Sequence, residues 1–504
     1  MNRLLILTVI WSMQVLHASA QNEEDILRYS VYQIGGNARA VALGGATGAM
    51  GADMSALSNN PAGLGLYRKS EFTLSASVFN ASYSSAYFSE ATKTGNTSFN
   101  FPNLGVVKAN THQRKGKSVD KGFMNYNFGF SLNRAANYNS TTDFAGMNNN
   151  SSYLQSLAQQ ANGTDYNQLS NFTDYGLAWK VYLIDTVGNN SAEYKSSIPQ
   201  GTGLLLQQLY RAEREGRIND YNFSFGTSYN DVLYLGATLT LNSVRYRVSS
   251  SFYEGDVYDT INSSTVPFDA ELNPYSSMRI SDELNTSGFG INGKLGLIYS
   301  PFEFIRIGAA YHTPRYLSMN DYFSKSISVG FDDGSFASVS SGEGYYEYTI
   351  QTPGKSMFSV TGILPKKGLI NVDVEQVDYR NGKLKADDYS FSEANQMANQ
   401  LYRKAMNVKA GAEYRYGYLY FRGGYAMMGN PYKSSVISNK EGRTRTVTAG
   451  VGYRKGDYYL DFAFATAKST SFYTPYVMVS GAETPTAVNT IIRNSFIVTG
   501  GFKF

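Results

Sequence analysis

The chain has 504 residues, no cysteine, and a formal charge of +4 spread along its length. A disulfide framework, thiol catalysis and thiolate metal sites are therefore excluded, and without a long basic run nothing in the charge pattern points to nucleic acid. Tyrosine (41 residues) and glycine (48) are abundant, and past the first twenty residues no apolar run reaches the roughly 20 residues that a membrane-spanning helix needs.

The opening segment, MNRLLILTVIWSMQVLHASA, joins Arg3, an apolar stretch from Leu4 to Leu16 and the small-residue ending Ala18-Ser19-Ala20. This is the order of a secretory signal peptide, cleaved before Gln21. Residues 1–20 are thus expected to direct export. Residues 21–69 follow as a glycine- and alanine-rich segment without strand alternation.

From residue 70 onward a period of two dominates. Fourteen strands are expected, near 70–79, 102–109, 122–133, 220–229, 232–247, 288–300, 303–313, 356–364, 369–379, 407–416, 418–426, 443–454, 457–468 and 490–504. In the last of them Phe496, Val498, Phe502 and Phe504 share one face, and Ser495, Thr499 and Lys503 the other. A soluble sandwich alternates in the same way. The polar face here, however, often mixes glycine with charge, as in Lys409, Gly411, Glu413 and Arg415 opposite Val408, Ala410, Ala412 and Tyr414. Such a face suits a wet lumen.

Connection lengths alternate as well. Short links fall at Asn230-Asp231, Pro301-Phe302, Pro365 to Gly368, Gly417 and Lys455-Gly456; long ones fall at 80–101, 134–219, 248–287, 314–355, 380–406, 427–442 and 469–489. Residues 111–121 are the one misfit. Sorting by parity is what an outer-membrane barrel shows, with short periplasmic turns and long extracellular loops. The expected fold is all-β: a transmembrane antiparallel β-barrel of about 14 strands spanning 70–504, with 21–69 as a hatch inside the lumen and long extracellular loops at 134–219, 248–287, 314–355 and 380–406. An even strand count puts both ends on the periplasmic side, and the terminal Phe504 matches the aromatic ending read by barrel-assembly machinery. The expected setting is the bacterial outer membrane, with its lipid and lipopolysaccharide as surroundings.

Fourteen strands enclose a lumen that something must occupy. In the hatch segment Gly44, Gly45, Gly48 and Gly51 suit close approach to a wall and positive φ, Pro61 holds Asn60 extended, and Asn59 and Asn60 can close local turns. The stretch GNARAVALGGATGAMGADMSALSNNPAGLG resembles the N-terminal hatch of the FadL/TodX-type outer-membrane transporters of long-chain fatty acids and aromatic hydrocarbons. Asp53, Ala56, Leu57, Asn60, Pro61 and Ala62 fall on that family's pattern, and FPNLGVVK, GFGINGKLGLIYSP, IRIGAAYHTPRY and NVDVEQVDY are further points of similarity. The resemblance implies passive transport of hydrophobic compounds through a hatch-closed barrel, with lateral release into the membrane at a kink in the third strand, here within 122–133. Gly129 could permit such a kink, although packing is the favoured reading of it. The hatch residues it singles out are Gly44, Gly45, Asp53, Asn59, Asn60, Pro61, Ala62, Gly63 and Leu64.

Two loops offer an apolar entry groove. In GTGLLLQQLYRAERE, Leu205, Leu206, Leu209 and Tyr210 stand at helical spacing, with Trp179 nearby in the same loop; in 380–406, Phe391, Ala394, Met397, Leu401 and Ala405 form one stripe of a helix. For each residue, packing of a loop helix is the first expectation and ligand contact the second. No catalytic constellation is evident: there is no G-x-S-x-G, His112 and His312 read as ordinary polar residues, and neither Gly116-Lys117-Ser118 nor Gly354-Lys355-Ser356 is a P-loop. Asp332-Asp333-Gly334 reads as a turn rather than a cation site. No enzyme activity, cofactor or metal is expected. The competing functional readings are a binding protein for haem or another apolar nutrient, and a structural or adhesive barrel.

Overall fold

The computed structural model describes residues 22–504 except 112, 115–116, 119–120, 199–204, 257–274 and 482. The signal-peptide reading, His112 and parts of 111–121 lie outside the described residues. Fourteen strands form the wall: β1 (Glu71–Tyr87), β2 (Glu90–Lys108), β3 (Phe123–Asn137), β4 (Leu206–Tyr229), β5 (Leu233–Gly255), β6 (Tyr275–Phe302), β7 (Ile305–His312), β8 (Lys355–Leu364), β9 (Gly368–Asp378), β10 (Lys404–Tyr416), β11 (Leu419–Met428), β12 (Thr444–Lys455), β13 (Tyr458–Tyr473) and β14 (Ala487–Lys503). Each pairs antiparallel with the next, and β1 pairs with β14 from Glu71↔Lys503 to Ala86↔Val488, so the sheet closes. Ser70 and Phe504 exchange two backbone hydrogen bonds at 2.9 Å at the foot of that seam. Closure removes the free strand edges.

The alternation has the expected sense. Leu235 and Leu239 on β5, Phe289, Ile291 and Leu295 on β6, and Phe358 and Val360 on β8 are exposed outward. Asn222, Thr240, Asn242, Lys294, Glu375 and Asp461 are buried on the inward side. At the short-turn end Tyr229, Phe304, Tyr416, Tyr418 and Tyr458 are exposed, as in an interfacial aromatic girdle. The β4–β5 turn places Asn230 and Asp231 both at positive φ (51° and 54°), which matches the right-handed strand twist.

Three expectations need correcting. The stretch 80–101 is no open loop, since β1 and β2 stay paired to Tyr87↔Glu90 beyond the apolar band. There the outward residues turn polar and the sequence no longer looks like a membrane strand. The β6–β7 turn falls after Phe302, because a register irregularity between Tyr299 and Phe302 lets β6 carry Pro301 without breaking. Leu206, Leu209 and Tyr210 lie in β4 rather than in a helix. Their true period is two: Leu206, Gln208, Tyr210 and Ala212 are buried while Leu209 is exposed.

The long loops carry structure of their own. Residues 138–205 contain a strand (Ser140–Asn148), α3 (Tyr153–Ala161), α4 (Asp174–Lys180) and a hairpin (Ile184–Val187, Asn190–Ser196); residues 313–354 add three strands, and α5 (Ser392–Leu401) precedes β10. In α3 a Ser152/Gln155 capping box closes the N-terminus. Asp332-Asp333-Gly334 is the turn between two of the added strands, with Asp333 accepting from the Ser335 amide at 2.8 Å.

Candidate functional site

Residues 22–69 meet the inner wall along most of its circumference. The segment begins with α1 (Glu23–Ser30), capped by the Asn22 side chain, and continues through α2 (Ala38–Ala42) and the 3₁₀ turns Met54–Leu57 and Pro61–Leu66, capped by Asp53 and Asn60. These pieces are too short to satisfy their own backbone, so the wall supplies partners. Asp373 accepts from the amides of Thr47 (2.9 Å) and Gly48 (3.0 Å). Thr499 accepts from the Ala38 amide at 2.7 Å, while Thr448 donates to the Ala42 carbonyl at 2.9 Å. Asn127 and Asn125 donate to the carbonyls of Leu64 (2.7 Å) and Gly65 (2.8 Å).

Glycines on the wall make the approach possible. A Cβ at Gly236 would lie 2.2 Å from the Pro61 carbonyl carbon, at Gly296 2.0 Å from the Asn60 Oδ1, and at Gly226 2.5 Å from the Leu64 Cβ. Gly105, Gly411 and Gly450 are blocked in the same way by Met54, Leu43 and Ala42. Gly129 belongs to this set: its Cβ would be 2.8 Å from the Leu57 side chain, which supports packing as its role. On the segment itself Gly44 and Gly45 adopt φ of +66° and +74°, and a Cβ on Gly44 would stand 3.1–3.2 Å from wall backbone.

The hatch candidates come together in this seat. Asp53 accepts from the Asn37 side chain and the Ser55 amide, both at 3.0 Å. Asn59 donates to the Thr47 hydroxyl at 2.7 Å, and Asn60 donates to the Gly48 carbonyl at 2.7 Å and accepts from the Ala62 amide at 3.2 Å. Pro61, Ala62, Gly63 and Leu64 are buried. Sequence reasoning passed over the ionic anchor: Arg39 grips Glu413 with two bonds of 2.9 Å, and Glu413 also accepts from Arg422, which reaches Asp461 at 2.7 Å. It also passed over His312, whose Nε2 lies 2.7 Å from the Asn59 carbonyl. The available signal was that both Glu413 and His312 fall on inward positions of alternating strands.

At the loop end, α1 enters an apolar cluster. Ile26 and Tyr29 are buried with Ala136 of β3, Ile218 of β4, Tyr348 and Ile350 of an added strand, Phe391 just ahead of α5 and Ala398 within it, with Leu401 packed at the edge. Asp25 is buried here beside Arg28, with which it forms an ion pair, and burial pushes its carboxyl up to about 7. The entry-groove candidates divide. Leu401 borders this cluster, and Met397 is half-buried on the same helix. Leu206 and Trp179 belong to a separate cluster under α3 and α4, where Trp179 stacks on Tyr166 at 5.5 Å. Leu205 is half-buried just ahead of β4.

One seam of the wall differs from the rest. The β2–β3 ladder has six residue pairs, Asn103↔Asn133 to Lys108↔Phe128, although β2 has 19 residues. Beyond Asn133 the backbone of β3 turns to the N-terminal segment: the Gln33 amide donates to the Ala135 carbonyl at 3.4 Å, and the Gln33 side chain donates to the Asn137 carbonyl and accepts from its amide, both at 3.0 Å. An irregularity against β4 between Arg134 and Ala136 marks the departure. Farther out, Thr92 and Thr94 of β2 donate to the carbonyls of Asp143 and Thr141 at 2.6 and 2.8 Å. Between these points, among the described residues, β2 has no backbone partner on that side.

No family model matches the chain, and no curated protein matches it in sequence. Solved structures do. A Pseudomonas aeruginosa FadL homologue superposes with a TM-score of 0.56 at 13% identity, over 94% of this chain and 100% of the other. The Pseudomonas putida toluene transporter TodX gives 0.53 at 12% identity, over 94% and 99%. At such identities the likeness speaks for architecture, and it agrees with the closed fourteen-stranded barrel. The chain has the fold of the FadL-type outer-membrane barrels.

Proposed function

We propose that this protein sits in the bacterial outer membrane and passively transports hydrophobic compounds, long-chain fatty acids or similar lipophiles, with residues 21–69 as its hatch. The observation that carries the reading is the apolar cluster running from α5 among the loops to Ala136 at the β2–β3 seam, with Ile26 and Tyr29 of the N-terminal segment standing in it. A lipophile entering from the loops gains about 25 cal/mol for each Å² of apolar surface it buries, which an aqueous pore does not offer. Displacing α1 opens the cluster, and the seam then lets the compound leave sideways into the membrane. The polar wall and the seated hatch keep water-soluble solutes out. The exposed Phe504 at the closing strand is the feature that assembly machinery would read.

The test is uptake of labelled oleate by cells lacking their own lipophile channel. Cells making the protein should take up oleate faster than empty cells, with no gain for a trisaccharide. Equal oleate uptake at a verified amount of folded barrel refutes the reading.

A further inference from the structure

On the outer surface of the wall, a groove of about 520 Å³ crosses β3 to β6. Arg134, Arg217, Arg245 and Arg247 line it, with Glu215 as the carboxylate among them. Arg217 and Arg245 stand directly opposite each other in the β4–β5 ladder, and Arg247 stands opposite Glu215. Like charges in direct cross-strand positions are destabilising. Even so, among the described residues none of the four guanidinium groups has a carboxylate oxygen within 4.0 Å, and the Nε of Arg134 is buried without a hydrogen-bond partner. Gly216, at φ +137°, brings β4 close against β5, since a Cβ there would strike the Arg245 carbonyl at 2.2 Å. The site is thus a cationic cleft with more positive charge than the protein neutralises.

Its height on the barrel narrows the ligand. The outward residues of β5 run Leu235, Ala237, Leu239, Leu241, Ser243, Arg245, Arg247 toward the loops, and Phe289 and Ile291 of β6 flank the apolar part. At about 3.3 Å per residue and a tilt of about 40°, Arg245 lies roughly 10 Å beyond Leu241 along the membrane normal. That is the depth of headgroups above acyl chains.

We infer that this groove binds the phosphate-bearing headgroup of an outer-leaflet lipid, with Arg217, Arg245 and Arg247 holding the phosphate and the apolar band below receiving the chains. Guanidinium forks match phosphate oxygens bidentately. Continuity with the apolar band favours a lipid over soluble phosphate. The inference rests on the membrane placement proposed above and not on transport, because the groove lies outside the wall.

The experiment is native mass spectrometry of the purified, folded protein in detergent with bisphosphorylated lipid A, fully dephosphorylated lipid A, or inorganic phosphate. The intact protein should bind bisphosphorylated lipid A at least about tenfold more tightly than the dephosphorylated form, and less tightly as salt rises. Arg217→Gln/Arg245→Gln/Arg247→Gln should lose at least about tenfold, whereas Arg279→Gln, an exposed arginine elsewhere, should bind as the parent does. Equal binding of the two lipid forms overturns the proposal and needs no variant. A folded triple variant that binds like the parent overturns it as well, and full competition by millimolar inorganic phosphate reassigns the groove to soluble phosphate. Loss of oleate uptake with lipid binding retained would count against the transport reading alone.

Discussion

Substituting Gly236 by alanine isolates the seat of the N-terminal segment, because the added methyl points at a single backbone group. Its Cβ would lie 2.2 Å from the Pro61 carbonyl carbon and 2.3 Å from its oxygen. Ordinary contact is near 3.5 Å, so Pro61 must retreat by about 1.3 Å or the 3₁₀ turn it begins must leave the wall. Overpacking of this kind costs about 1–3 kcal/mol; at about 2 kcal/mol the balance between seated and unseated segment shifts roughly thirtyfold. The barrel ladder at Gly236 is unaffected, since β-strands accept alanine. The assay is single-channel conductance in planar bilayers, read beside heat-modified gel mobility as a measure of barrel folding. Gly236→Ala should raise the open probability for small ions while the barrel stays folded. Gly362→Ala is the control, for a Cβ there meets nothing within 4 Å. If both variants conduct like the parent, the proposed hatch is not held by this contact and the steric reasoning fails.

Arg39→Met removes the segment's bidentate grip on Glu413 and should cost about 2–4 kcal/mol of seating, since a buried carboxylate loses one of two cationic partners; Arg39→Lys should cost less but not nothing, as an ammonium cannot fork. Hydrogen exchange of the 37–45 amides reads this directly, and parental protection in both variants would count against it. Asp25, raised to about 7 by burial, binds its proton more tightly folded than unfolded, so α1 docking is strongest at low pH and weakens as pH rises through about 7. With no native cysteine, Ile26→Cys reports it: thiol labelling, corrected for thiolate fraction, should increase from pH 5 to pH 8, and Asp25→Asn should abolish that increase. A rise that survives Asp25→Asn would assign it to another group.

The wall was legible in the chain because a membrane barrel repeats one rule, and Phe496, Val498, Phe502 and Phe504 obey it as openly as Leu235 and Leu239. All fourteen strands are present in the expected order. Their outer ends were not legible, since beyond Phe101 and Phe99 the outward face of β2 becomes Thr97, Gly95 and Lys93, which any loop could carry. Leu205 to Tyr210 misled because a three-residue spacing arose by chance across the start of β4, where the working period is two. The seat was half visible: glycine on a polar face signals room, but only closure of the barrel shows that Gly236 faces Pro61. Arg39 and Glu413 are 374 positions apart, and no local pattern joins them.

The most direct measurement is oleate uptake with the N-terminal segment tethered at the seam. In the cysteine-free chain, Gln33→Cys/Ala135→Cys places two thiols on neighbouring hydrogen-bonded backbones. With folded protein matched in the membrane, the oxidised pair should halt uptake and a reductant should restore it to the parental rate. Uptake at the parental rate by the fully oxidised protein would contradict passage of lipophiles through the β2–β3 seam.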